Sequence, residues 1–467
     1  MRMGYLVLMC GIWGALSGRV PADQPPNIVH VIADDLGWND VGYHGSDIRT
    51  PAIDRLASES IVLERFYATP ICSPTRAGVL TGRYPFRFGI WGGVVSPNER
   101  FGLPPAEQTT PELLAASGYR HRGLLGKWHL GLASTLFHPL AHGFSEFYGH
   151  YNGAIDYFSH HRFGQLDWHR NYDSVEQPGY STDLVGDAAV EFIERQTGES
   201  PFYLLVAFNA PHSPLQATED DLRAEGFNPQ QPRAANTDQR LAEREGAPEY
   251  GQQGRGNTIR QTFAAMTRGL DRNLEKILQA IDGRGWRDNT LVVFHSDNGA
   301  DPKHGGSNQP LRGNKFTMWE GGVRVVAMVR WPDQLPAGQR FLGVTSYIDW
   351  LPTQLAASGY PVPPDVDGIN LLPQLTGRQP VEDRTLLLGK NAAVSQRWKW
   401  VDGELFDLQA DPGETRDVAA EHPEQAERFE RFTARFDELS GPPFTSGLER
   451  PAQWPPVKWQ LPAEAAP

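Results

Sequence analysis

Apolar residues along this chain gather into short continuous runs instead of alternating with polar ones. Residues 28–33, 123–125 (after Tyr119), 202–208, 291–294 and 323–329 are such runs, most of them rich in β-branched side chains. Continuous hydrophobicity predicts strands buried on both faces, as in a parallel sheet covered by helices. Between the runs, segments 50–59, 110–117, 182–196 and 259–281 carry apolar positions at helical spacing. The alternation predicts an α/β architecture, with a large, mostly parallel mixed sheet sandwiched by helices.

Two regions depart from this rhythm. Residues 217–257 are polar, rich in Gln, Arg, Glu, Gly and Pro, and carry no strand signal. They read as a long surface insertion with limited helix, placed to act as a lid. From about residue 380 the texture changes again. Segments 395–402 and 404–408 read as a short antiparallel hairpin turning at Asp402-Gly403, and 421–439 as a charged amphipathic helix. A Pro-rich tail over 442–467 is expected to wrap the surface. The division expected is a main domain over 23–379 and a smaller C-terminal α+β subdomain over 380–467 with a short antiparallel sheet.

Length and composition narrow the picture. At 467 residues with 39% hydrophobic side chains, the chain can bury a substantial core and is not of the disordered class. Its start has a basic Arg2, an apolar run over 5–16 and a small-residue site at Val20-Pro21-Ala22, as in a secretory signal peptide over 1–22. That run is shorter than the roughly 20 apolar residues a membrane span needs. The expectation is export to a periplasmic or secreted location, without stable membrane insertion. Removal of 1–22 takes away Arg2 and Arg19, moving the net charge from −13 to −15, and also Cys10. Cys72 is then the only cysteine, so no internal disulfide can form, and a lone thiol in an exported protein is a candidate reactive group. The acidic balance argues against nucleic acid as a partner, and an anionic substrate would need a local cationic pocket.

The polar clusters fall mainly at the ends of the apolar runs. Asp34 and Asp35 follow 28–33, Lys127 and His129 follow 123–125, His212 follows 202–208, and Asp297 and Asn298 follow 291–294. In a parallel sheet these are carboxyl ends of strands, the edge where α/β proteins bind ligands. Asp34, Asp35, Asp297 and Asn298 together form an all-oxygen set suited to a hard divalent cation, Ca²⁺ before Mg²⁺. Either pair alone would read as a loop turn; two pairs at equivalent strand ends point to a metal site. In Cys72-Ser73-Pro74-Thr75-Arg76, Ser73 fits a helix N-cap, Pro74 the first helical position and Gly82 the helix end. Residue 72 would then sit where backbone N–H groups favour an anion.

The C-x-P-x-R signature at Cys72–Arg76, followed by LTGRY, resembles the type I, formylglycine-dependent sulfatases of the alkaline phosphatase superfamily. ADDLGWNDVGYHG, GKWHLG, SDNG, PLRGNKFTMWEGGVR, DWLPT and ELFDLQADPGET extend the resemblance over roughly residues 27–415. In texture the chain is similar to the N-acetylgalactosamine-4-sulfatases (arylsulfatase B type), through GWNDVGYHGSDIRTP, the segment 156–160 and WEGGVR.

The resemblance implies an alkaline phosphatase-like fold and a specific chemistry. A formylglycine-generating enzyme would oxidise Cys72 before folding, and the hydrated aldehyde would attack sulfur, expel the alcohol and then eject sulfate. It implies Asp34, Asp35, Asp297 and Asn298 as ligands of one Ca²⁺, with Asp297 also taking the attacking hydroxyl's proton. Arg76 would steady the modified side chain, and Lys127 and Lys315 would hold sulfate oxygens. His129 would serve as base for sulfate elimination, and His212, with Lys315, would protonate the leaving oxygen. The expected substrate is N-acetylgalactosamine 4-sulfate at the end of chondroitin- or dermatan-type oligosaccharides, with Asp156, Tyr157, His160 and Trp319 as a pocket wall. Alternatives are a sulfated galactan substrate, a phosphodiesterase or phosphonate hydrolase of the same superfamily, and a silent protein that binds sulfated glycans.

Overall fold

The computed structural model describes residues 25–447 except 98, 163 and 245. The signal peptide expected over 1–22, Cys10 and the tail beyond 447 lie outside the described residues. No helix among those described is long and apolar enough to cross a membrane.

Ten strands form the main sheet, in the order Gln339–Phe341, Ile61–Leu63, Ala327–Arg330, Thr290–Ser296, Asn27–Ala33, Phe202–Ala207, His121–Lys127, Glu146–His150, His169–Arg170, Asp173–Ser174. The five from Thr290–Ser296 to Glu146–His150 are mutually parallel. Ala327–Arg330 and the two strands at the far edge run antiparallel to their neighbours, so the sheet is mixed around a parallel centre. This is the alkaline phosphatase-like arrangement expected from the sequence.

Side chains alternate between two apolar layers, as the two-residue period of a strand requires. Ile28, Ile32, Leu205 and Val293 face the layer holding helices Cys72–Thr81 and Trp350–Ser358. Val29, Val31, Leu204, Val206 and Phe294 face helices Pro51–Ser58, Ser181–Glu194 and Ile259–Gly283. Each fully buried aliphatic contributes about 1.5–3 kcal/mol. That burial carries the stability, because the one cysteine among the described residues is unpaired.

Two expectations need correction and a third gains detail. The run 323–329 is not one strand: Glu320–Val323 is a short helix, Arg324 makes only an isolated bridge to Tyr67, and the strand starts at Ala327. The cause is close backbone packing, since a Cβ on Gly322 would lie 2.0 Å from Thr317 O and one on Gly321 2.4 Å from Gly313 O. The signature helix begins at Cys72, not after Ser73, with Ile71 at the N-cap and no side-chain cap. Gly82 does end it, in the left-handed region at φ 65°. The C-terminal hairpin is half of a four-stranded antiparallel sheet, Leu386–Gly389, Ala392–Val394, Trp398–Val401 and Glu404–Asp407. Its last two strands turn at Asp402 and Gly403, both at positive φ, as that dipeptide predicted.

The stretch 217–257 holds two short helices, Glu219–Ala224 and Gln239–Arg244. Ala217 N–H donates to Gly254 O and closes its base, while Gly251 N–H donates to Asp156.

Candidate active site

The strand register sets four chain ends level. Ala33 pairs with Ser296, Ile32 with Ala207, and Ala207 with Gly126. Asp297-Asn298, Asp34-Asp35, the loop to His212, and Lys127 through His129 therefore emerge side by side from four neighbouring strands. The helix Cys72–Thr81 packs beneath this edge with all ten residues buried, so Cys72 and Arg76 meet them from one side.

The carboxylates form one buried group. Asp35 N–H donates to Asp297 Oδ1 at 3.3 Å, and Asn298 Nδ2 donates to Asp35 Oδ1 at 2.6 Å. Asp34, Asp35 and His212 bring ligand-type atoms within 4.8 Å of one another. Three cations balance the acids. Arg76 donates to Asp297 Oδ2 at 2.8 and 3.2 Å, Lys127 Nζ lies 2.5 Å from Asp34 Oδ2, and Lys315 Nζ lies 2.7 Å from Asp35 Oδ1.

Asp34 Oδ1 and Asn298 Oδ1 are buried with no hydrogen-bond partner. An unpaired buried acceptor costs about 1–3 kcal/mol. Two such oxygens in one carboxylate cluster fit a hard cation that takes oxygen ligands. Asp35 (φ 63°) and His129 (φ 60°) hold left-handed backbone, which non-glycine residues adopt at a cost of order 1–3 kcal/mol.

Cys72 is 2% exposed, and its Sγ lies 3.2 Å from His129 Nδ1. Ser73, freed from capping, donates from Oγ to His129 O and accepts from Val95 N–H. The His129 ring lies against Gly153, where a Cβ would stand 2.3 Å from Cε1, so only glycine fits. His212 Nδ1 pairs with Ser213 O, and Nε2 points to Asp35 Oδ2 at 3.7 Å.

Electrostatics follow from burial and charge. Burial, with Asp297 adding, pushes Asp34 up to about 7. Asp35 goes the other way: burial raises it, but the Lys315 ammonium and His212 bring it below the usual carboxylate range. Burial, then Lys127 and Arg76, holds His129 well below the ordinary imidazole value; burial and Lys315 do the same to His212. Both rings are therefore neutral at pH 7. Lys315 is raised, because Asp35 outweighs the burial that lowers it. Burial raises the Cys72 thiol although Lys127 and Lys315 lower it, so an unmodified Cys72 is a protonated, weak nucleophile.

All ten residues expected in the metal and catalytic sets thus come together. The expected pocket wall does not. Tyr157 is fully buried, its hydroxyl donating to Asn209 O and His212 O. Asp156 caps its own turn and accepts from Gln216 and Gly251 N–H. His160 bonds Gly179 O and stacks on Trp168. The Trp319 ring is covered by the Arg312 guanidinium at 3.5 Å and edged by Phe406. Asp156, Tyr157 and His160 thus spend their polar groups on holding loops, and the Trp319 ring is shared between Arg312 and Phe406. Ser73 was the supporting residue missed, and its only sequence signal was its place inside the signature.

A sulfatase family model matches residues 26–360. Human N-acetylgalactosamine-6-sulfatase is 35% identical over 385 residues, covering 77% of this chain and 67% of that protein. Human arylsulfatase A is 30% identical over 483 residues, covering 96% and 83%; mouse arylsulfatase J, 32% identical over 358 residues, is spanned over 55% of its length and 74% of this chain. Among solved structures, Ps i-CgsB has a TM-score of 0.78 at 30% identity, covering 90% of this chain and 94% of that one. With parallel strands delivering an acidic edge to a buried signature cysteine, the fold and site are those of an ester hydrolase of the alkaline phosphatase type. The chain belongs to the sulfatase family and is a sulfuric ester hydrolase.

Proposed function

We propose that this protein removes sulfate from a galacto-configured sugar of a sulfated oligosaccharide, using an oxidised Cys72 and one Ca²⁺. The observation that carries the reading is the convergence of Cys72, His129, Lys127 and Lys315 on an acidic cluster with two unpaired oxygens, one from Asp34 and one from the Asn298 amide. Asp34, Asp35, Asp297 and Asn298 would hold the cation, which supplies charge to polarise the sulfate. His212 lies near enough to share in that set, but an all-oxygen shell suits a hard cation better.

The chain's own groups then have definite tasks. Oxidised to formylglycine by a formylglycine-generating enzyme during export, Cys72 presents a hydrated aldehyde whose hydroxyl can reach sulfur. Arg76 anchors Asp297 and the start of the helix, and Asp297 takes the attacking proton. Lys127 and Lys315 offset the charge developing on sulfate oxygens. A neutral His129, 3.2 Å from the residue 72 side chain, is in the protonation state a base requires, and drives sulfate out. Lys315, which keeps its proton, would supply one to the leaving oxygen, and the neutral His212 beside Asp35 would help to place that oxygen.

The sugar is suggested by the relatives. Human, mouse, rat, dog and pig N-acetylgalactosamine-6-sulfatases share 34–35% identity with the chain, which supports 6-sulfated N-acetylgalactosamine as a candidate alongside the 4-sulfated sugar expected from sequence texture. A second reading, a sulfated galactan, is favoured by Ps i-CgsB solved with k-i-k-neocarrahexaose, at TM-score 0.77 and 29% identity over 92% of this chain and 96% of that one. The test is a desulfation screen on N-acetylgalactosamine 4- and 6-sulfates and carrageenan oligosaccharides, with and without chelator, alongside peptide mass spectrometry across Cys72. Release of sulfate that stops with chelator and with Cys72→Ala is expected. An active enzyme whose residue 72 keeps its sulfur would sink the formylglycine mechanism; activity on a galactan alone would select the second reading.

A further inference from the structure

Beside Cys72 lies an apolar trough of about 430 Å³ that none of the roles above uses. Ile71 stands on one side and Phe316 on the other, with Trp91, Gly93 and Met318 completing the wall. Its position is fixed by covalent neighbours: Ile71 immediately precedes Cys72, and Phe316 immediately follows Lys315. Phe316 N–H donates to Pro70 O at 2.9 Å and ties the two sides together. The loop at residues 91–95 is pinned by Val95 N–H to Ser73 Oγ, so the trough is built on the same serine that steadies His129.

Two features mark it as a surface meant to be covered. Phe316 is 66% exposed and sits in left-handed backbone at φ 74°. Such a conformation is expensive for a bulky residue and recurs where ligands are clamped. Trp91 is braced from behind, edge-on to Phe86 and Phe436, and a Cβ on Gly389 would lie 2.8 Å from its ring. Gly92 and Gly93 leave the approach open, since a Cβ on either meets nothing within 4 Å. A rigid aromatic and a presented aromatic, with no charged side chain in the wall, suit the apolar C–H face of a pyranose ring. The sulfate would then lie toward Cys72 and Lys315, the chain neighbours of Ile71 and Phe316.

We infer that Trp91 and Phe316 form the platform that seats the pyranose carrying the scissile sulfate. This inference rests on the sugar sulfatase reading above and adds the residues that hold the ring. The platform touches ring carbons, not the reacting sulfur, so it binds ground and transition states alike.

The test uses the formylglycine-containing enzyme with N-acetylgalactosamine 6-sulfate, N-acetylgalactosamine 4-sulfate and 4-nitrophenyl sulfate. Phe316→Ala removes an exposed ring at little cost to folding, and Gly93→Leu fills the trough from an open position. Both are expected to raise KM for a turned-over sugar about five- to tenfold with kcat unchanged, as loss of an aromatic contact implies. An unchanged sugar KM in both variants would overturn the platform, as would a KM rise confined to 4-nitrophenyl sulfate. Wild-type turnover of 4-nitrophenyl sulfate with no sulfated sugar hydrolysed, carrageenan oligosaccharides included, would also overturn it while leaving the sulfatase activity standing. Oxidised enzyme that hydrolyses no ester at all would instead sink the functional reading itself.

Discussion

Two buried charge clusters in this molecule look alike and do different things. At the sheet edge, three carboxylates face Arg76, Lys127 and Lys315. Under the C-terminal sheet, Lys399 Nζ lies 2.9 Å from both Glu320 Oε1 and Glu414 Oε1. Glu320 also accepts from Tyr67, and Glu414 caps Glu320 N–H. Charge balance does not separate the two, and neither does backbone strain, since Glu414 has φ 54°. What separates them is location and what the leftover oxygens face: Glu414 Oε1 also lacks a hydrogen bond, but it lies 2.9 Å from the Lys399 ammonium. The Lys399 group is closed over by the second sheet and clamps it to the main domain. The Asp34 group opens at parallel strand ends beside Cys72 and keeps Asp34 Oδ1 and Asn298 Oδ1 unpaired. Buried charge alone is therefore no sign of chemistry; unpaired acceptors beside a signature nucleophile are.

Substitution should pull the clusters apart. Asp35→Asn removes one of the proposed cation ligands and the partner of Lys315, and is expected to lower kcat/KM at least about a hundredfold with little change in Tm. Sulfate release against calcium concentration checks this; near-wild-type turnover would move the site elsewhere. Lys399→Met should do the reverse. Stranding Glu320 and Glu414 costs about 3–5 kcal/mol of stability, read by urea unfolding, while kcat per folded molecule stays unchanged.

A pH series sharpens the contrast with charge the fold refuses to carry. His138 and His150 are buried neutral, with values pushed down to about 3 chiefly by burial. Their folded values lie below the unfolded one near 6.5, so their contribution is complete above pH 6.5 and is lost as pH falls below it. Each should take away about 1.4 kcal/mol per pH unit between 6.5 and roughly 4. Urea midpoints at pH 7.5, 6 and 5 measure the slope, and a flat profile would contradict the burial of these rings. The smallest effect on activity is expected for His160→Gln. Its ring bonds Gly179 O and stacks on Trp168, so a slightly lower Tm with unchanged KM is expected; a raised sugar KM would restore it to the pocket wall.

The central strands were legible because burial on both faces forces unbroken apolar runs, and their ends then located Asp34, Lys127, His212 and Asp297. The short strands at one side of the sheet were not legible. Ile61–Leu63 and Gln339–Phe341 are three residues long and owe their pairing to neighbours distant in sequence. Segment 323–329 failed because Gly321 and Gly322 are chosen for close backbone approach, which hydrophobicity does not report. Asp156, Tyr157 and His160 misled for a related reason: a polar residue near a site can serve it by being hydrogen-bonded out of sight. Trp91 and Phe316 carried no signal, since an exposed aromatic in a glycine-rich loop has no period.

The burial of the helix Cys72–Thr81 sets a clock on the protein's making. With Cys72 2% exposed and its serine neighbour tied to His129 and Val95, a folded chain offers a modifying enzyme no thiol to grip. If Cys72 is oxidised as proposed, modification must precede folding, and a chain that folds first stays an inert copy. The specific activity of a preparation then measures how many chains were caught in time, so slowing synthesis or supplying more modifying enzyme should raise it without changing a single residue.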